Sequence, residues 1–159
     1  MLPINEASKE RSQLFLSIPK DYKSVQDPST WSKSTLIEFI PASEKIQNYS
    51  EIISVMNYKG QRIAAGQFTE HLKKAISSQA NFSVLLNEKK DKKDYQEALL
   101  IMKYRCQGRD EVLGMRYLSG PYDCSGVQYT IRLNQAMNEQ QAVEKITNFL
   151  NQNAVVIQK

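Results

Sequence analysis

Residues 127–133 read Val-Gln-Tyr-Thr-Ile-Arg-Leu, and no other stretch limits the fold as tightly. Side chains of a strand point alternately to opposite faces. Val127, Tyr129, Ile131 and Leu133 therefore line one face, and Gln128, Thr130 and Arg132 line the other. Two β-rich runs precede it, 98–106 and 112–118, with Gly120-Pro121-Tyr122-Asp123 as the turn into the third. Connections this short join antiparallel neighbours, because parallel strands need a longer crossover. Residues 98–133 are thus expected to form a three-strand meander.

Two helices are expected around it. Over 68–79, Phe68, Leu72, Ala75 and Ile76 make one apolar stripe, with Glu70, His71, Lys73 and Lys74 opposite. A closing helix begins at Asn138, whose side chain can cap it with Gln141 three residues on; it presents Ala142, Val143, Ile146, Phe149 and Leu150. Upstream, a short strand over 14–18 stops at Pro19, and 35–40 alternates up to Pro41. Residues 46–57 fit both periods; β-branched Ile52, Ile53 and Val55 favour a strand over 50–57, hairpinned to 35–40. Residues 82–86 read as a short strand, 88–94 as a charged turn and 155–157 as a short edge strand. The expected class is α+β: a single antiparallel β-sheet with both helices packed on one face. Residues 1–13 read as a flexible N-terminal segment and 14–159 as one domain.

Size agrees. At 18.2 kDa, the scaling of surface with mass buries about 69% of the unfolded chain's surface, enough for one ordinary core. The longest apolar run, 98–102, is far short of the ~20 residues of a membrane-spanning helix. Met1 to Arg11 lack the basic and apolar regions of a signal peptide, which fits a cytoplasmic protein or the mature form of an exported one.

Candidate chemistry is sparse. Cys106 and Cys124 are too far apart for a metal site and His71 is the single histidine, so no metal or cofactor is expected. The meander would put the two cysteines at opposite ends of the sheet, beyond the ~7 Å between Cα atoms that a bridge allows. A disulfide and the meander are therefore rival readings, with two free thiols the outcome of the second. A thiol-dependent enzyme using Cys124 or Cys106 is one functional alternative, with only His71 as a base. Nucleotide loops, the serine-hydrolase elbow and zinc-protease motifs are absent from the sequence.

The formal charge of +4 is uneven. Residues 59–93 hold Lys59, Arg62, Lys73, Lys74, Lys89, Lys90, Lys92 and Lys93 against Glu70, Glu88 and Asp91; the remainder is nearly balanced. Such a block suits an anionic lipid or glycan, although solvated helix faces and charged turns usually account for such runs. Nucleic-acid modules interleave aromatic platforms with basic residues. Here only Phe68 and Phe82 fall within the block, and both belong to apolar stripes, so nucleic acid is not the expected partner. Tyr104, Tyr117 and Tyr122 are candidate recognition residues, since tyrosine joins apolar area to a polar tip.

Ile40-Pro41 followed by Asn48-Tyr49-Ser50-Glu51-Ile52-Ile53-Ser54-Val55 resembles a motif of small secreted proteins of Gram-negative bacteria. There a proline-ended strand leads to Asn-Trp-(Ser/Thr)-Glu-Met and another strand. Cys106 and the segments 116–120 and 127–132 resemble that family's cysteine and closing hairpin, and the order of elements resembles the PsbP/Mog1 type of α+β fold. The resemblance implies a secreted or periplasmic binding or interaction protein with no catalytic activity. A secretion-system substrate acting on a host is the narrower form of that expectation.

Overall fold

The computed structural model of the chain describes residues 11–15, 17–58, 60–152 and 154–158. Among them the strands are β1 (Arg11–Phe15), β2 (Tyr22–Ser24), β3 (Leu36–Pro41), β4 (Glu51–Tyr58), β5 (Ala80–Asp91), β6 (Gln96–Cys106), β7 (Arg109–Ser119), β8 (Cys124–Arg132) and β9 (Ala154–Gln158). The helices are α1 (Ala65–Ile76), between β4 and β5, and α2 (Glu139–Asn151), between β8 and β9. The meander is present, with Leu100 opposite Met115 and Leu113 opposite Thr130. It extends into a seven-stranded antiparallel sheet of order β2-β3-β4-β8-β7-β6-β5, and β1 pairs with β9 in a separate two-stranded sheet. The expected hairpin of 35–40 with 50–57 is the β3–β4 pair.

The sheet has a helix on each face, not both on one. Ile101, Val112, Leu118, Val127, Tyr129 and Ile131 form one core with Ala142, Ile146, Phe149 and Leu150 of α2. Ala98, Leu100, Met102, Leu113, Met115 and Tyr117 form the second, with Ala65, Phe68, Leu72 and Ile76 of α1 packed against it. The reason lies in 98–102: an unbroken apolar run cannot alternate with polar residues, so β6 buries both its sides and both faces need a cover. At Gly114 the lack of a side chain lets α2 approach closely, since a Cβ there would meet Ile146 Cγ2 at 2.1 Å.

Several boundaries move. The strand expected over 14–18 is β1, ending at Phe15 with Ser17 to Pro19 irregular; Leu16 lies outside the described residues. β1 includes Arg11, Ser12 and Gln13, and residues 1–10 of the segment expected to be flexible lie outside the described residues. Helix α1 starts at Ala65, three residues early, and Ala75 is exposed while Thr69 is buried. Glu88 to Asp91 belong to β5, not to a turn, which is confined to Lys92 to Tyr95. β5 is an edge strand exposed along most of its length. A strand wet on both faces carries no alternation for the sequence to display.

The helix ends are handled differently. Asn138 and Gln141 of α2 form a reciprocal capping box, each side chain bonded to the other's backbone N–H at 2.9 Å. α2 has no basic residue in its last turn; instead Arg116 of β7 reaches up to donate to the Leu150 carbonyl at 3.1 Å. That arrangement puts a cation where the helix dipole is negative. Helix α1 has no side-chain cap, and Gln96 Oε1 of β6 accepts from Ala65 N at 3.2 Å.

Candidate functional site

The motif residues 48–55 prove to be struts. The Arg132 guanidinium lies 4.1 Å over the Tyr49 ring and donates to the Tyr49 carbonyl at 2.9 Å. Ser50 donates to Glu44 through both its N–H (2.6 Å) and its hydroxyl (2.7 Å). Glu51 accepts from Tyr22 (2.8 Å) and from Tyr129, and Lys145 Nζ of α2 lies 2.9 Å from it. Burial would raise the Glu51 carboxyl; hydrogen bonds from Tyr129, Lys145 and Tyr22 outweigh it and hold the carboxyl below its usual range. One carboxylate thus ties β2, β4, β8 and α2 together.

Two of the three recognition tyrosines are internal. Tyr117 is fully buried, stacked on Phe68 with centroids 4.0 Å apart, and donates to the Ile63 carbonyl at 3.0 Å. Tyr104 is 5% exposed. Both occupy inward positions of strands buried on two sides, where tyrosine is a large core residue with its hydroxyl satisfied. Tyr122, 46% exposed in the β7–β8 turn, is the one available for contact.

The cysteines are free, so the disulfide reading is set aside. Cys106 stands opposite Arg109 and Cys124 opposite Ser119, at the two ends of β7 and about 34 Å apart at the rise of a strand. Cys124 is fully buried; its thiol donates to the Gln61 carbonyl at 2.9 Å and accepts from Ile63 N at 3.1 Å. These bonds pin the loop before α1 to the sheet and leave no approach for a substrate. His71 is on the exposed side of α1, whereas Cys124 faces the core beneath that helix.

The basic block folds into a defined surface. Two adjoining grooves run along the exposed side of α1, with Gln67 lining both. The first, about 540 Å³, has His71, Lys73, Lys74 and Phe82 in its walls. The second, about 630 Å³, has Arg62, Lys92, Lys93, Tyr95 and Pro121. Five cations thus face Glu70 and Asp94, and Lys73 bonds Glu70 at 2.9 Å. Gly120 and Pro121 bring the β7–β8 turn to the second groove, so three segments distant in sequence converge. Lys89 belongs to the same face, its aliphatic end 3.6 Å from where a Cβ of Gly66 would stand. Lys90, opposite Glu97, points to the other face of the sheet. Arg62 was already part of the basic block, whereas Tyr95 and Gln96 went unnoticed in the sequence because they are isolated there and meet it only when the β5–β6 turn, the β7–β8 turn and the start of α1 come together.

Among the described residues no three metal-binding side chains cluster, and no helix is long and apolar enough to cross a membrane.

This architecture is the PsbP/Mog1-like α+β fold. The chain is similar to LpqN of Mycobacterium tuberculosis, a protein involved in cell envelope biogenesis, with a TM-score of 0.59 at 10% identity over 99% of this chain and 90% of that one. It is similar to the Ran-binding protein Mog1p of Saccharomyces cerevisiae, TM-score 0.56 at 8% identity over 91% and 94% of the two chains. The cyanobacterial PsbP of Synechocystis gives 0.54 at 8% identity over 97% and 98%. No protein-family profile and no curated protein sequence matches the chain. At these identities the likeness is one of fold.

Proposed function

We propose that this chain is an exported bacterial protein that works by binding, and that its partner is another protein presenting an acidic segment to the grooves along α1. The observation that carries this reading is the convergence of Lys73 and Lys74 in one groove with Arg62, Lys92 and Lys93 in the next. A flat field of lysines would suit a lipid headgroup plane. Here the cations line shallow grooves whose walls also contain Phe82, Tyr95 and Pro121, and mixed apolar and charged walls suit side chains of a polypeptide. The neighbouring edge strand β5 adds exposed Val84 and Leu85 and backbone groups on its outer side for an extended segment to pair with. Export is supported by the resemblance of residues 40–55 to secreted proteins and by the fold shared with an envelope-biogenesis protein.

The test is fluorescence anisotropy with a labelled Glu/Asp-rich peptide, a Lys-rich control and anionic vesicles. Expected is saturable binding of the acidic peptide only, weakened by salt and abolished by Lys92→Glu with Lys93→Glu. Binding to vesicles in preference, or acidic-peptide binding indifferent to charge reversal, overturns the reading. Fractionation of cells that make the protein tests export; recovery solely in the cytosol overturns it.

A further inference from the structure

A third cavity lies at the far end of the sheet, away from the grooves of α1. It measures about 240 Å³ and is lined by Gln47, Asn48, Cys106, Gln107, Arg109 and Arg132. Cys106 and Arg109 are directly opposed in the first pair of the β6–β7 hairpin, so both side chains project to one face with Cβ atoms ~5 Å apart. The hairpin turn is tight: Gln107 and Gly108 both have positive φ, at 53° and 76°. Arg132 is held in place by Glu111 at 3.0 Å and by Tyr49. Arg109 is exposed and has no carboxylate partner among the described residues. The cavity thus combines one engaged and one unengaged guanidinium, three carboxamides and a half-buried thiol.

We infer that this cavity takes a small anionic disulfide, whose carboxylate is held by Arg109 beside Arg132, and that Cys106 is its site of S-thiolation. In the exchange the Cys106 proton leaves to water. The sulfur then attacks one sulfur of the small disulfide, the S–S bond breaks, a mixed disulfide forms and the second half departs as a thiolate. The disulfide supplies the oxidising equivalent, so no further oxidant is required. Partial exposure beside an arginine is a setting in which protein thiols exchange. The fully buried, hydrogen-bonded Cys124 lacks both features.

The experiment compares exchange rates of the intact protein with the dicarboxylate dithiobis(nitrobenzoate) and the uncharged dithiodipyridine, and maps the modified cysteine by peptide mass spectrometry. Expected is a preference for the anionic reagent at Cys106 that falls about fivefold in Arg109→Gln, the scale of one exposed charge interaction, while the rate with the neutral reagent is unchanged. High salt should reduce the same preference. Glutathione disulfide should then give a mixed disulfide at Cys106 that is lost in Cys106→Ser. Equal reactivity toward both reagents, a preference that survives Arg109→Gln, or first modification at Cys124 overturns the inference.

Discussion

Ile146 of α2 rests directly on Gly114 of β7, closer than any side chain at 114 would permit: an added Cβ would stand 2.1 Å from Ile146 Cγ2 and 3.3 Å from Leu150 Cδ1. Ile146 is β-branched and stiff at its first torsion, so it cannot swing clear. Gly114→Ala is expected to destabilise the protein by about 1–3 kcal/mol through overpacking. Ile146→Ala, itself costly, should cost less in the Gly114→Ala background than alone. A double-mutant cycle by urea denaturation checks this, and additive effects would refute the contact.

Arg116 and Glu97 form a largely buried pair, with Arg116 Nε 3.3 Å from Glu97 Oε1 and Nη2 donating to Oε2 at 3.3 Å. Removing the guanidinium strands a buried carboxylate and uncaps the C-terminal end of α2. Arg116→Met should cost about 3–5 kcal/mol, the range for breaking a buried pair from one side. Adding Glu97→Gln should recover part of it, measured as the midpoint shift in chemical denaturation.

Acid stability turns on Glu51. Its folded carboxyl titrates below the ordinary value of 4.5, so the ionised form contributes stability that is complete above that value and is lost as pH falls through the lower folded one. Stability measured by thermal melts should decline below about pH 4.5, and Glu51→Gln should flatten part of that decline. An unchanged acid limb in Glu51→Gln would contradict the assignment.

At alkaline pH the sign reverses. Burial raises the hydroxyls of Tyr22, Tyr58, Tyr104, Tyr117 and Tyr129 above their ordinary 10.0. Their stabilising effect is fully present below pH 10 and is lost above it, where the unfolded chain releases those protons first. Tyrosinate absorbance from these five side chains should therefore appear only above pH 10, together with loss of secondary structure by circular dichroism.

The capping box at α2 offers a smaller effect. Asn138→Ala removes the side-chain oxygen bonded to Gln141 N and should cost about 1 kcal/mol, with Asn138→Asp nearly neutral.

Legibility in the sequence followed burial asymmetry. The segment 127–133 has one dry and one wetter face, so its alternation displays β8 residue by residue, and the 3.6-residue stripe of α2 is equally open. Residues 98–102 were recognisable as a strand, but an apolar run is silent about which side is covered, and so the second core beneath α1 went unanticipated. Tyr104 and Tyr117 were misplaced for the same cause, since composition does not distinguish a core tyrosine from a surface one. At the other extreme, Lys89 and Lys90 lie on an exposed edge where nothing enforces alternation, and a charged strand there reads as a turn. The grooves were half visible: Arg62, Lys73, Lys74, Lys92 and Lys93 stand out by charge, whereas Tyr95 joins them only through the tertiary fold.

The pairing of β1 with β9, Arg11 against Gln158, has a consequence for the order of assembly. The β6–β7–β8 meander closes through short turns and is a contiguous nucleus within reach of rapid folding. β1, by contrast, is made well before its partner β9, with the whole meander and α2 between them. Its half of the two-stranded sheet is therefore an unmatched edge until β9 emerges, available in that interval to a chaperone or to a neighbouring nascent chain.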